Sequence, residues 1–107
     1  MRRGEVWTVL DAGYASKPRP VVVVQDDAYA AFDSEIACLM TSFDSSEIPS
    51  RVKIESSEAN GLVKTSFVMA DKILAIRKDR FGDRLGRLTK DEMRDVSRQL
   101  SLVLGLG

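Results

Sequence analysis

The segments of this sequence that look like β-strands follow one another with almost no helix between them. Residues 4–10, 21–25, 36–42, 51–55 and 66–76 are short and rich in β-branched or aromatic side chains, and Gly, Pro, Ser and Asp separate them. Parallel strands need long crossover connections, which are usually helical. The sequence therefore predicts a mainly β protein with largely antiparallel strands, in a sheet that is curled or closed into a small barrel.

The run Val21-Val22-Val23-Val24 is too uniformly apolar for a half-exposed strand, and it predicts a strand in the centre of the core. Shorter elements are predicted around it. Single helical turns are expected within 26–33 and 78–81, and a brief strand is expected at 84–88.

One true helix is predicted, at the end of the chain. Thr89 and Glu92 have the spacing of a capping box, in which each side chain satisfies a free backbone amide of the first turn. Gly105 is predicted to follow the end of this helix. Apolar side chains recur on one face of this helix, at Met93, Val96, Leu100 and Val103.

The length of 107 residues suits one domain that spans residues 1–107. Its apolar runs are too short to cross a membrane, and the charged start has no apolar stretch of leader length behind it, so we expect a cytoplasmic protein. The single cysteine, Cys38, lies among apolar neighbours. We expect it to be a buried small side chain and not a nucleophile.

The chain has no histidine. This excludes Ser-His-Asp triads, Cys-His pairs and histidine-pair ribonuclease chemistry, together with nearly all zinc sites. The adjacent Asp26 and Asp27 would face opposite sides of a strand, which disfavours a two-metal nuclease. We therefore expect no metal ion and no cofactor.

Charge is unevenly distributed although its sum is zero. Residues 1–24 carry four positive and two negative charges, residues 25–60 carry two and eight, and residues 61–107 carry ten and six. The two ends of the chain could therefore form a basic surface for an anionic ligand. Ordinary solvated charge is the simpler interpretation of composition alone.

Several polar residues stand where a phosphate could bind. Arg19 lies between Pro18 and Pro20, which stiffen the backbone that carries its guanidinium. The hydroxyls of Thr41 and Ser42 end the third strand. Asp71 and Lys72 interrupt the apolar segment 66–76, where charges need a partner or a cleft. Each of these residues also has a purely structural interpretation. Arg19 could be a surface arginine, Thr41 an ordinary strand residue, and Asp71 a member of a simple ion pair.

In order and over nearly the whole chain, these segments resemble the MazF/PemK toxins. The matching stretches are Arg3-Gly4-Glu5-Val6-Trp7, Lys17-Pro18-Arg19-Pro20-Val21-Val22-Val23, a strand ending in Thr41-Ser42, Gly61-Leu62-Val63-Lys64-Thr65-Ser66, Ala70-Asp71-Lys72-Ile73, Gly86-Arg87-Leu88-Thr89 and the final Leu104-Gly105-Leu106.

The resemblance implies a curled antiparallel SH3-like barrel with an amphipathic C-terminal helix, a homodimer, and sequence-selective, metal-independent cleavage of single-stranded RNA. In the family the 2′-hydroxyl attacks the adjacent phosphate and leaves a 2′,3′-cyclic phosphate and a 5′-hydroxyl. The resemblance also implies that a cognate antitoxin neutralises the protein. Contact with DNA is expected only through that antitoxin, and no membrane partner is expected. Carried onto this chain, the catalytic residues are Arg19, for proton transfer and phosphate stabilisation, and Thr41, for a hydrogen bond to the phosphoryl oxygens. The candidate RNA-binding residues are Tyr14, Lys17, Ser42, Asp71 and Lys72.

This chain departs from the family pattern in two regions that line the RNA groove. The loop before Arg19 is shorter than in many relatives, and Lys72 stands where many carry glutamine, so a cleavage sequence is not carried over. Two alternatives share the fold. One is a CcdB-like gyrase poison, a family associated with a terminal Trp-Gly-Ile, whereas this chain ends Gly105-Leu106-Gly107 and has only Trp7. The other is an inactive RNA- or protein-binding barrel.

Overall fold

In the part of the chain that the structure describes, six antiparallel strands form one sheet, whose order is β4-β5-β3-β2-β1-β6. The structure is a computed structural model, and it describes residues 1–10 and 17–107. The strands are β1 (Glu5–Val9), β2 (Arg19–Val23), β3 (Ser34–Thr41), β4 (Arg51–Ile54), β5 (Ser66–Arg77) and β6 (Phe81–Arg87). Short 3₁₀ turns occur at Asp27–Tyr29 and Lys78–Arg80, and one helix, α1 (Lys90–Val103), follows the last strand.

The predicted mainly β architecture with a terminal helix is confirmed. Residues Val21, Val22 and Val23 are fully buried in the centre of the sheet, as their uniform apolarity indicates. The capping box of α1 is formed, because Thr89 Oγ1 accepts from the Glu92 amide at 3.1 Å and Glu92 Oε1 accepts from the Thr89 amide at 2.8 Å. No helix in residues 1–10 and 17–107 is long and apolar enough to span a membrane.

Alternating side chains divide the core between the two faces of the sheet. On one face, the helix residues Met93 and Val96 pack with Val6, Val22 and Cys38. A second cluster occupies the other face, and it contains Val9, Val21, Ala37, Leu39, Met69 and Ile76. Cys38 is fully buried, as predicted, and burial raises the pKa of its thiol to about 12.

Strand β5 is irregular where the sequence places two charges. Cys38 pairs with Ile73, but Met40, two residues along β3, pairs with Val68, so β5 contains extra residues between these points. This bulge holds Asp71 and Lys72 and explains how two charges fit into an otherwise apolar strand.

The two edges of the sheet approach each other through a loop. The segment after β4 packs against β6, where the Arg87 amide donates to the Ala59 carbonyl at 2.9 Å. Asn60, which is buried, accepts from the amides of Ser57 and Leu62 and donates to the Glu55 carbonyl. The sheet is therefore strongly curled, with this loop as the wall between its first and last strands.

Candidate active site

The antiparallel register of β2 and β3 brings Arg19 and Thr41 together. Val23, Val22 and Val21 pair with Ala37, Cys38 and Leu39. Extended by two residues, this register sets Arg19 across from Thr41, on the face of the sheet opposite helix α1. Both side chains are half-buried and line one open cleft of about 450 Å³.

The cleft is lined by residues of three kinds. Its cations are Lys17, Arg19 and Lys64, its hydroxyl groups belong to Thr8, Thr41, Ser42 and Ser66, and its apolar walls come from Pro18, Pro20, Met40, Leu62, Val63 and Leu85, with Gly61 between them. Among the described residues, no carboxylate lines this cleft. The three cationic side chains on its walls favour an anionic ligand, in a chain whose formal charge is zero.

The hydroxyl of Thr41 is oriented by the backbone that follows it. Thr41 Oγ1 accepts a hydrogen bond from the Phe43 amide at 3.1 Å. Because a hydroxyl is also a donor, this arrangement leaves its proton able to bond to an oxygen of a ligand in the cleft. Arg19 brings a cationic planar fork to the same cleft, which suits a phosphate.

Asp71 takes part in an ion pair next to the cleft. Arg51 Nε and Nη2 donate to its two carboxylate oxygens at 2.9 and 3.2 Å, and Ser50 Oγ donates to Oδ1 at 3.0 Å. The hydrogen bond from Arg51 lowers the pKa of Asp71 to about 2, against the opposing effect of burial. Asp71 therefore holds Arg51, whose side chain is only 13% exposed, in a fixed orientation.

Arg51 connects this ion pair to the proposed catalytic residues. It lines a second cavity, of about 160 Å³, together with Arg19, Leu39, Met40, Thr41, Phe43 and Met69. Arg19, Met40 and Thr41 also line the cleft, so the two spaces share a wall.

Of the residues predicted from sequence, Arg19, Thr41, Lys17 and Ser42 meet in the cleft. Asp71 and Lys72 do not line it: Asp71 binds Arg51, and the Lys72 ammonium lies 3.9 Å from Asp71 and is largely exposed. Tyr14 lies outside the described residues. Their roles with RNA stay predictions.

The sequence analysis did not single out Thr8, Lys64, Arg51 and Phe43, which line the cleft or the second cavity. The path of the loop after Gly61 and the pairing of β4 with β5 have no local sequence signal that would place Lys64 and Arg51 there. Within the described parts of the chain, no three acidic or cysteine side chains are grouped as a metal ion would require.

Comparisons with known proteins agree with this architecture. Residues 2–104 match the profile of the PemK-like, MazF-like toxins of type II toxin–antitoxin systems. A probable endoribonuclease MazF from Mycolicibacterium smegmatis is 36% identical over 99% of this chain and 98% of its own length. An endoribonuclease MazF from Staphylococcus saprophyticus is 28% identical, over 99% of this chain and 92% of its own length.

Solved structures give the same result. A mycobacterial endoribonuclease in complex with its cognate antitoxin superposes with a TM-score of 0.82 at 29% identity, over 100% of this chain and 97% of that one. MazF from Deinococcus radiodurans, at 22% identity, has the same fold, with a TM-score of 0.80 over 98% of this chain and 96% of its own. Because the family profile covers nearly the whole sequence and one relative exceeds a third in identity over its full length, this chain belongs to the PemK-like, MazF-like toxins of type II toxin–antitoxin systems.

Proposed function

We propose that this chain is an endoribonuclease toxin that cleaves single-stranded RNA sequence-selectively and without a metal ion. The observation that carries the proposal is the cleft in which Arg19 and Thr41 meet, beside the further cations Lys17 and Lys64. A phosphodiester with its neighbouring sugar and base suits a site with cationic, hydroxyl and apolar walls. The relatives named endoribonucleases support this substrate class.

The proposed reaction needs little from the protein beyond positioning and charge stabilisation. The 2′-oxygen of the ribose forms a bond to the adjacent phosphorus, and the bond from phosphorus to the 5′-oxygen of the next nucleotide breaks. The products are a 2′,3′-cyclic phosphate and a 5′-hydroxyl. The 2′-hydroxyl gives its proton to water, and the leaving 5′-oxygen takes a proton from water, so no net proton is released. Since the nucleophile belongs to the substrate, the absence of histidine from the chain is no obstacle.

Arg19 and Thr41 divide the work on the phosphoryl group. Arg19 neutralises the negative charge that grows on the phosphoryl oxygens and hydrogen-bonds to the departing 5′-oxygen, because a guanidinium stays protonated in proteins. The Thr41 hydroxyl, held by the Phe43 amide, donates to a phosphoryl oxygen. Lys17 and Lys64, on the rim of the cleft, bind the neighbouring phosphates of the strand.

The test is cleavage of a mixed single-stranded RNA in EDTA, with direct analysis of the new ends. We expect activity to persist in chelator and the new 5′ ends to accept a phosphate from a kinase without prior dephosphorylation. A 2′-deoxy substitution at the cut position should abolish cleavage.

The variants Arg19→Ala and Thr41→Ala should each keep the fold and lower kcat by a factor on the order of 10²–10³. This is the typical effect of losing one preorganised hydrogen-bond donor. Arg19→Lys should restore activity only in part, because an ammonium lacks the planar fork.

Two results would reject this function. One is activity that disappears in EDTA and returns with Mg²⁺, and the other is full activity of Arg19→Ala. Inhibition of DNA gyrase without RNA cleavage would favour the CcdB-like alternative.

We further propose that the active form is a homodimer and that a cognate antitoxin neutralises it. The end of α1 supports the dimer, because the side chains of Leu102, Leu104 and Leu106 are 58, 55 and 74% exposed in the single chain. The cationic cleft supports an acidic antitoxin segment that would occupy the place of RNA.

A further inference from the structure

The cavity of about 160 Å³ behind Arg19 and Thr41 is not needed to hold the phosphate, yet it opens beside it. We propose that it is a nucleobase subsite, selective for a base that presents carbonyl oxygens, such as uracil or guanine. The inference rests on the proposed function, since it names how this RNA cleft selects its substrate.

The walls of this cavity suit a flat aromatic ring. Leu39, Met40 and Met69 give it apolar surfaces. The ring of Phe43 stands at its rim and is 73% exposed, although an aromatic side chain of that size is usually covered. Proteins that bind single-stranded RNA stack unpaired bases on aromatic rings exposed in this way.

Continuity with the phosphate cleft selects a base over other flat apolar ligands. Arg19 and Thr41 border both spaces, so a group bound in the cavity lies one side chain away from the phosphate that they hold. In a nucleotide, the base is joined through the ribose to that phosphate. An RNA strand can therefore fill both spaces at once.

Arg51 gives the cavity its preference among bases. A guanidinium has five N–H donors, and in the described chain Asp71 takes two of them and Ser45 Oγ accepts a third, from Nη1 at 3.2 Å. Two N–H groups, one on each terminal nitrogen, remain for a ligand. Carbonyl oxygens of uracil or guanine accept from such a pair, whereas the amino group of adenine would oppose it. Asp71 makes the fork rigid, so this discrimination does not depend on reordering the side chain.

The experiment measures binding without cleavage. Fluorescein-labelled oligo(dU) and oligo(dA), which lack the attacking 2′-hydroxyl, are titrated with the full chain and followed by anisotropy. We expect the wild type to bind oligo(dU) about tenfold more tightly than oligo(dA), a ratio typical of one specific pair of hydrogen bonds. Phe43→Ala should weaken binding of both by roughly tenfold, the scale of one lost stacking contact. Arg51→Lys keeps a cation near Asp71 but loses the fork, so the preference for oligo(dU) should fall to near one.

Phe32→Ala is the matched control, because Phe32 is 57% exposed but does not line the cavity. The subsite would be overturned if Phe43→Ala bound the oligonucleotides as tightly as Phe32→Ala does. It would also be overturned if Arg51→Lys kept the preference for oligo(dU). If Arg51→Lys unfolds, the surface variant Phe43→Ala still decides the question.

Failure of the subsite and failure of the proposed function give different results. Base-dependent binding that requires Phe43, in a protein that cleaves no RNA, supports the subsite and rejects the nuclease. Cleavage with wild-type KM and an unchanged cut sequence in Phe43→Ala supports the nuclease and rejects the subsite.

Discussion

At the scale of single residues, Glu35 is a buried carboxyl whose charge is only partly compensated. Its side chain is 2% exposed, and the Lys78 ammonium that faces it lies 3.9 Å away. Burial raises the pKa of Glu35 above its ordinary value of 4.5, against the opposing effect of Lys78. Since the folded-state pKa is the higher one, the protonated form stabilises the fold. This contribution is complete below pH 4.5 and is lost as the pH rises through the folded-state pKa.

Replacement of the charge should therefore stabilise the protein at neutral pH. We expect Glu35→Gln to raise the free energy of unfolding at pH 7 by about 1 kcal/mol, because the isosteric amide avoids burying an ion. At pH 4 the gain should shrink. Urea denaturation at the two pH values measures both, with the exposed Glu47→Gln as control. If Glu35→Gln instead lowered the free energy of unfolding at pH 7, the attraction between Glu35 and Lys78 would outweigh the cost of burying the Glu35 carboxylate.

The Arg51–Asp71 pair shows how far single residues could be read from sequence. A charge inside the apolar segment 66–76 required a partner, and the structure supplies one. The partner could not be named, because it lies on β4, and the register of β4 against β5 follows from the bulge and from packing, not from any local pattern.

Among the elements, β6 and the loop after β4 approach each other closely through their backbones. Gly61 has a φ of +68°, and a Cβ there would lie 2.1 Å from the Leu85 carbonyl oxygen. A Cβ on Gly86 would lie 2.1 Å from the Ala59 carbonyl oxygen. Only glycine allows the two backbones to approach so closely, and the same loop continues into the cleft wall at Leu62 and Val63.

Gly86→Ala should separate these backbones. We expect this substitution to lower the free energy of unfolding by about 2 kcal/mol or more, because the Ala59 carbonyl is part of the backbone and cannot turn away from the new Cβ. Chemical denaturation measures the change. Gly82→Ala is the matched control on the same strand. Its Cβ would meet the Thr8 hydroxyl at 2.7 Å, and that side chain can rotate away at the cost of the one hydrogen bond that it accepts from the Asp83 amide. Equal effects of the two substitutions would contradict the close packing of β6 on the loop.

The elements themselves were predicted unevenly, for physical reasons. The capping box fixed the start of α1, since a cap is a short-range signal. Strand β6 begins at Phe81, earlier than the predicted 84, although Gly82 and Asp83 are poor strand formers. Phe81 packs edge-on against Trp7, with ring centroids 6.0 Å apart, and this long-range contact outweighs local preference.

On the scale of the whole molecule, the apolar end of α1 is the surface that we expect to be covered by a second copy. Leu104→Asp combined with Leu106→Asp should shift the protein from dimer to monomer at micromolar concentration, because a two-fold interface would bury each charge twice. Multi-angle light scattering measures the change. Ile48→Asp, on a half-exposed side chain of the loop after β3, is the control and should leave the mass unchanged.

A wild-type protein that is already monomeric, and still cleaves RNA, would contradict the dimer. The fold could be predicted from one sequence, whereas the catalytic roles of Arg19 and Thr41, which the family resemblance implies, stay predictions. A surface that lies between two copies could only be suggested by the surplus of leucines, since no single chain shows what covers it.

The incomplete closure of the curled sheet has a consequence for how the protein behaves when crowded. In the described residues, β4 and β6 each have only one neighbouring strand. Exposed edges of this kind template the addition of further strands and lead to aggregates. Here β4 spans only four residues, two of them the cations Arg51 and Lys53, and β6 is screened by the loop that bonds to Arg87. Both edges are thus poor templates, and we expect the protein to resist aggregation by the addition of strands.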